Sequence, residues 1–181
     1  VSGNSDGKLL IGHSHGLLLF DPETGKHHKI SDEWPTSILL DRQGIIWHTS
    51  GSGLYQIDPK TGRFRREQQF NWIGGVAEDG NGDIWIFSSS GIFRFDPSLT
   101  KVLEHKRREG VGAMSVDVDG SVWFISTDKL EKYDFRSKTI SEQAMSASDR
   151  KRSISPISFI DSFGNLWTGG WTGVGKYNSK T

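Results

Sequence analysis

Asp41-Arg-Gln-Gly44-Ile-Ile-Trp47 recurs down the chain as Asp79-Gly-Asn-Gly82-Asp-Ile-Trp85, Asp117-Val-Asp-Gly120-Ser-Val-Trp123 and Asp161-Ser-Phe-Gly164-Asn-Leu-Trp167. A weaker copy, Asn4-Ser-Asp-Gly7-Lys-Leu-Leu10, stands near the start. The glycines step by 37, 38, 38 and 44 residues, from 7 to 44, 82, 120 and 164. A period near 40 with one phrase per copy means a small supersecondary unit stacked several times, each copy burying an apolar face on the next.

A second phrase follows the Trp in each copy. Gly16-Leu-Leu-Leu-Phe-Asp21-Pro-Glu-Thr-Gly25 is the clearest, then Gly53-Leu-Tyr-Gln-Ile-Asp58-Pro-Lys-Thr-Gly62 and Gly91-Ile-Phe-Arg-Phe-Asp96-Pro-Ser-Leu-Thr100. Later copies decay to Lys129-Leu-Glu-Lys-Tyr-Asp134 and Gly173-Val-Gly-Lys-Tyr-Asn178. The alternation of Leu54 with Gln56 and Leu130 with Lys132 has the period of a strand. Asp-Pro-x-Thr-Gly is a turn: Asp accepts nearby backbone N–H groups, Pro presets φ, and Gly takes a positive φ. Asp-x-x-Gly turns the chain by the same means.

Each copy therefore reads as four strands. The innermost ends at the repeat Asp (residues 154–161, for example), the second carries the Trp, the third runs to the Asp-Pro turn, and the fourth is short and charged, as in residues 63–68. Antiparallel four-stranded units of this length are propeller blades. The expectation is an all-β propeller of about four to five units, bounded near 1–33, 34–69, 70–109, 110–150 and 151–181. Trp47, Trp85, Trp123 and Trp167 share one phase and are expected to pack between neighbouring sheets. The chain reads as opening inside a second strand and closing after a third, hence three complete blades flanked by two partial ones. Open edge strands are normally covered. That predicts a segment of a longer propeller, with the ends paired to further blades or to a second copy.

At this level the residues resemble the two-component regulator propeller repeat. The resemblance rests on Asp-x-x-Gly-x-aliphatic-Trp followed by Gly-Leu-x-x-aromatic-Asp-Pro-x-Thr-Gly, best kept in the copies starting at Asp41 and Asp79. Trp167-Thr-Gly-Gly-Trp-Thr-Gly173 also keeps the small-residue stretch usual after the Trp, whereas the copy of Trp123 lacks its Gly. The resemblance implies a periplasmic sensor propeller of membrane-anchored bacterial sensor kinases, often hybrid systems that respond to polysaccharide fragments. The kinase module itself, with its phosphoacceptor helix and ATP lid, is not in this sequence, and any membrane association would come through parts of a parent protein outside it.

Composition agrees and excludes other classes. Among 181 residues, Lys plus Arg equals Asp plus Glu at 22 each, so bulk charge argues against a nucleic-acid partner. With no Cys there is no disulfide frame, thiol nucleophile or zinc–thiolate site. No apolar run approaches the roughly 18 residues a helical membrane span needs. No cofactor motif is legible.

Candidate ligand residues lie where the repeat varies. The turns between second and third strands, and the links between blades, share one rim, and variable loops on a rigid frame are where binding groups concentrate. That rim collects His13, Ser14 and His15; His48, Thr49 and Ser50; Ser88, Ser89 and Ser90; Asp128; and Trp171 with Thr172. The links add Trp34, Asn71, Trp72, Arg107, Arg108, Arg150, Lys151 and Arg152. Trp34, Trp72 and Trp171 stand outside the phase of the four repeat tryptophans. An indole face with Arg, Asn and His donors suits a sugar ring, so an oligosaccharide is the expected ligand. Alternatively, Trp34 and Trp72 start innermost strands and pack beneath the loops.

Other readings are weaker. His13 and His15, alternating on a strand, share a face that suits a metal, but no third ligand lies at a telling spacing. Asp79-Gly-Asn-Gly-Asp83 echoes the start of a calcium loop without its distal Glu. Streptogramin lyases share the Asp-x-x-Gly-x-x-Trp pattern and use a His-centred metal site. For such an enzyme His13, His15, His48 and Glu109 are the candidates here, scattered over several copies. His27 and His28 fall on an outer strand. No catalytic residue is assigned, and a structural or assembly role stands as a further alternative.

Overall fold

The computed structural model of the chain describes residues 2–3, 7–51, 53–58, 63–68, 72–96, 98, 102–106, 111–126, 129–144, 154–170 and 173–178. Among them there is no helix, and the strands form five antiparallel sheets in chain order. The first sheet holds β1 (Ser2–Gly3), β2 (Leu9–His13), β3 (Gly16–Phe20) and β4 (His27–Ser31). The second holds β5 (Ser37–Leu40), β6 (Ile46–Ser50), β7 (Gly53–Asp58) and β8 (Arg63–Gln68). The third holds β9 (Ile73–Glu78), β10 (Ile84–Ser88), β11 (Gly91–Phe95) and β12 (Val102–Lys106). The fourth holds β13 (Val111–Val116), β14 (Val122–Ser126), β15 (Lys129–Asp134) and β16 (Thr139–Ala144), and the fifth β17 (Ile154–Ile160), β18 (Asn165–Gly170) and β19 (Gly173–Asn178). These are the blades of a β-propeller fold, four of four strands and one of three.

The first sheet departs from the sequence reading. It is four-stranded, because Ser2 and Gly3 pair with Leu10 and Leu9. Gly7 carries the positive φ of the better copies, +74° beside +81° at Gly44, so even the weak Asn4–Gly7 phrase turns the chain back on itself.

The residues divide into two compact groups. The first comprises Val1–Val76 with Ser88–Ser90, the second Ala77–Phe87 with Gly91–Thr181. In the first group Leu10, Leu17 and Leu19 of the first sheet meet Ile46 and Ile57 of the second, with Ile38 and Leu40 at the margin. In the second group Trp85, Phe87 and Ile92 pack on Val122, Phe124 and Tyr133, and Trp123, Ile125 and Leu130 pack on Leu166. Trp85 and Trp123 thus lie between successive sheets, as their shared phase predicts.

The repeat turn shows why Asp and Trp are six residues apart. Asp41 Oδ1 accepts the N–H groups of Gln43 and Ile45, both at 2.9 Å. Its other oxygen, Oδ2, accepts the indole Nε1–H of Trp47 at 2.7 Å. Asp79 with Trp85 (2.8 Å) and Asp161 with Trp167 (2.8 Å) repeat this pairing, and Asp117 with Trp123 keeps it at 3.2 Å. A buried carboxylate costs free energy unless its lone pairs are satisfied; here the turn and the indole do so, and the Trp N–H gains the partner it needs when buried. The indole hydrogen bond, more than any other contact, holds the Asp161 carboxyl well below its usual range, at about 2.

The outer turn works as its residues imply. Asp21 Oδ1 accepts Glu23 N–H (2.9 Å) and Thr24 N–H (3.2 Å), and Gly25 sits at φ +67°. In the fourth sheet Asp134 accepts Arg136 and Ser137 N–H, and Lys138 occupies the corresponding place at φ +57°.

Candidate functional site

In each sheet the turn between second and third strands lies at the end opposite the Asp turns. In the first group that end is built from the β2–β3 and β6–β7 turns, the segments leading into β5 and β9, and residues Ser88–Ser90. Trp34 and Trp72 stand on the two lead-in segments, 65% and 51% exposed. They are not packed beneath loops.

The two tryptophans also share a register. Trp34 precedes Asp41 by seven residues and Trp72 precedes Asp79 by seven, so they are 38 residues apart, one repeat step. The sequence carries this signal: measured from the repeat Asp, they form a phase of their own. Thr36 ties the two lead-in segments together. Its N–H donates to Thr49 C=O at 2.7 Å, and its hydroxyl donates to Ile73 C=O at 2.8 Å while meeting Thr49 Oγ1 at 2.8 Å. The Cα atoms of Trp34 and Trp72 are therefore no more than about 18 Å apart by covalent reach alone.

Trp72 has φ +49°, in the left-handed region that bulky side chains avoid. Such a conformation costs about 1–2 kcal/mol and persists only where the surroundings impose it. Part of the imposition is visible: Ser89 N–H donates to Trp72 C=O at 3.1 Å, binding the β10–β11 turn to the start of β9. In the next copy the same register position is Gly110, the residue suited to that backbone.

Polar groups surround these segments. Glu33, next to Trp34, receives a long hydrogen bond from Ser50 Oγ at 3.5 Å, and its N–H donates to Ser31 Oγ at 3.2 Å. Ser90 N–H donates to Ser88 Oγ at 3.1 Å. Glu33 and Thr36 carry no signal in the sequence, because neither belongs to a repeated phrase and their roles arise only from pairing across strands.

His48 corrects the expectation of a loop residue. It lies inside β6, with all five residues of that strand buried, and is itself 0% exposed. Two residues from Ile46 it shares that residue's face, opposite Trp47. Its ring stacks on Tyr55, its cross-strand partner, at 4.6 Å and 3°. Both ring nitrogens are buried without a hydrogen-bond partner. Burial pulls its pKa down to about 4, against the opposing pull of Glu33 and the Thr49 backbone.

His13 and His15 also differ from a metal-facing pair. His13 ends β2, but His15 is in the turn, so the two do not alternate along one strand. Their rings are 5.8 Å apart and tilted by 39°; His13 Nδ1 accepts His15 N–H at 3.2 Å, and His15 Nδ1 meets Ser14 Oγ at 3.0 Å. Among the described residues no three His, Cys, Asp or Glu side chains converge as a metal site. At Asp79 the oxygens that a calcium loop would offer are turned onto Asn81 N–H, Asp83 N–H and the Trp85 indole. His27 and His28 lie exposed on β4. Asn71, Arg107, Arg108, Glu109, Asp128, Arg150, Lys151, Arg152, Trp171 and Thr172 lie outside the described residues.

No family model and no curated protein sequence matches the chain. Solved structures do. The extracellular domain of a B. thetaiotaomicron protein described as a hybrid two-component system, BT3049, matches over 98% of this chain and 27% of its own, with TM-score 0.77 and 20% identity. Virginiamycin B lyase from Staphylococcus aureus matches over 99% of this chain and 69% of its own, with TM-score 0.74 and 16% identity. The gluconolactonase XC5397 from Xanthomonas campestris matches over 96% and 69%, with TM-score 0.74 and 13% identity. The chain spans about a quarter of the length of the BT3049 domain. Sensor domains and enzymes thus share this architecture, and the chain has the β-propeller fold of extracellular two-component sensor domains, the proteins its repeat phrase resembles.

Proposed function

We propose that this chain is a non-catalytic, ligand-binding propeller segment of an extracytoplasmic bacterial sensor of the hybrid two-component kind, and that its ligand is an oligosaccharide. The observation that carries this reading is the pair of exposed indoles, Trp34 and Trp72, on segments that also carry the exposed Thr36 and the half-buried Glu33, with exposed Ser89 and Ser90 hydrogen-bonded beside Trp72. An apolar ring face beside directional polar partners matches a sugar, whose C–H face stacks while its hydroxyls bond. The repeat phrase resembles that of sensor propellers, and the fold is one that such domains share. His13 and His15 are proposed as further contacts of this rim, and Asn71, Arg107, Arg150 and Trp171 as further ligand-binding residues. The test is thermal unfolding of the chain, and of its longer parent, against a panel of oligosaccharides. Binding to the folded state raises stability by about 2.7 kcal/mol at a hundredfold excess over Kd; a panel that moves neither protein refutes the reading. We propose also that the blades are completed by further blades or by a second copy, which sedimentation resolves.

The likeness to virginiamycin B lyase supports an enzymatic alternative. General acid–base work needs an accessible group poised near the working pH. His48 is enclosed, with its pKa down at about 4, and the Nδ1 atoms of His13 and His15 are engaged within their own turn. A lyase activity in the chain, abolished by H13A/H15A, would restore this alternative.

A further inference from the structure

The strained backbone of Trp72 and its shared register with Trp34 lead beyond the general reading, on which this inference rests. A bulky residue in the left-handed region, where the next copy has Gly110, is unfavourable for the fold. Half its surface is exposed, so packing only partly repays it. Backbone strain of this kind marks positions whose conformation is part of a function. Trp34 repeats the placement one blade earlier, still more exposed. The Thr36–Ile73 and Ser89–Trp72 hydrogen bonds fix the two lead-in segments within one frame. That frame carries two exposed indoles, one per blade.

We infer that Trp34 and Trp72 form a two-position stacking platform for a neutral oligosaccharide of at least two sugar rings, one ring face on each indole, and that monosaccharides are not its ligands. The local polar groups fit a neutral, hydroxyl-rich occupant. Exposed Ser89, Ser90 and Thr36 carry hydroxyls, and the half-buried Glu33 offers a carboxylate that accepts hydrogen bonds. A hydroxyl array with an acceptor at its edge serves sugar hydroxyls, which both donate and accept. A strongly anionic polymer would meet Glu33 unfavourably. Each stacked ring adds its own apolar burial, so affinity is expected to rise in a step when a ligand becomes long enough to reach both indoles.

The experiment titrates the chain with glucose, xylose and fructose and with the malto-, cello-, xylo- and fructo-oligosaccharide ladders from two to six units, followed by calorimetry and melting temperature. Expected is at least tenfold tighter binding for an oligomer than for its monosaccharide in one ladder. Trp34→Ala and Trp72→Ala each lose at least tenfold and flatten the length dependence. Trp72→Gly supplies the decisive contrast: it suits the left-handed backbone, so melting temperature holds or rises while binding falls. If Trp72→Gly lowers the melting temperature and leaves binding intact, Trp72 is a packing residue and the platform is wrong. Binding without length dependence likewise overturns the platform while the ligand-binding reading stands. If no saccharide binds, both fall.

Discussion

The repeat tryptophans of the second group each carry a cation on the ring, and Trp47 of the first group faces a glutamine. Arg94 lies over Trp85 at 5.6 Å, Lys132 over Trp123 at 5.5 Å and Lys176 over Trp167 at 5.2 Å. Lys132 and Lys176 are the cross-strand partners of their tryptophans, and Gln56 is that of Trp47. In the fourth sheet the arrangement closes on itself. Lys132 Nζ donates to Asp117 Oδ2 at 2.8 Å and Asp119 Oδ2 at 3.1 Å, while Asp117 Oδ2 also accepts the Trp123 indole. Burial alone would depress the Lys132 ammonium, but these carboxylates outweigh it and raise its pKa. Arg94 also donates to the Tyr133 hydroxyl. The first group has instead two exposed indoles and a buried imidazole with no hydrogen-bond partner among the described residues, while each group has a non-glycine residue at positive φ, Trp72 in the first and Lys138 in the second. In the fourth sheet turn, indole and cation satisfy one another, and there the repeat is scaffold.

The largest effect should come from breaking the closed arrangement. Asp117→Ala leaves the Trp123 N–H and the Lys132 charge partly buried without their shared carboxylate, and is expected to cost about 3 kcal/mol in urea unfolding. Asp41→Ala, with no lysine to strand, should cost less, about 2 kcal/mol. Equal losses would mean the cation adds nothing.

Acid should separate the two groups by window. The folded His48 pKa of about 4 lies below its ordinary 6.5, so between those values the unfolded chain binds the extra proton. Stability is then full above pH 6.5 and falls by about 3 kcal/mol as pH drops to 4. Asp161, held at about 2 below its ordinary 3.8, acts later: its contribution is present above pH 3.8 and is lost as pH falls towards 2. His48→Phe should flatten the upper window and leave the lower one. An unchanged slope between pH 6.5 and 4 would show that other groups set it.

Close approach between repeat turns predicts a middle-sized loss. Gly80 N–H donates to Gly120 C=O at 2.8 Å, and a Cβ on Gly120 would stand 2.6 Å from Gly80 Cα, at φ +86°. Gly120→Ala should therefore cost about 2 kcal/mol, whereas Gly44, at φ +81° with open space around it, should lose only the conformational part, about 1 kcal/mol.

The smallest effect is a gain. Gln56→Lys places on Trp47 the cation that Trp123 and Trp167 already have, with an expected stabilisation of about 0.5 kcal/mol. A shift of the urea midpoint in either direction measures how much of the contrast is electrostatic.

Strand order within each blade, the turn chemistry and the burial of Trp47, Trp85 and Trp123 follow from the Asp, Gly and Trp spacing alone, because they rest on hydrogen bonds and side-chain alternation within a few residues. That spacing even marked β8 at residues 63–68 and the three-stranded last sheet. Arg94, Lys132 and Lys176 each stand nine residues after a repeat Trp, a regularity in the sequence, but that their cations lie over the indole rings emerges only when the strands pair. His48 misled for the same reason: a polar residue just past the Trp reads as loop, but β6 runs on to Ser50 and buries it. The exposure of Trp34 and Trp72, the link that Thr36 makes between the segments carrying them, and the strain at Trp72 come from the folded chain, because exposure and strain depend on which neighbours the fold brings alongside.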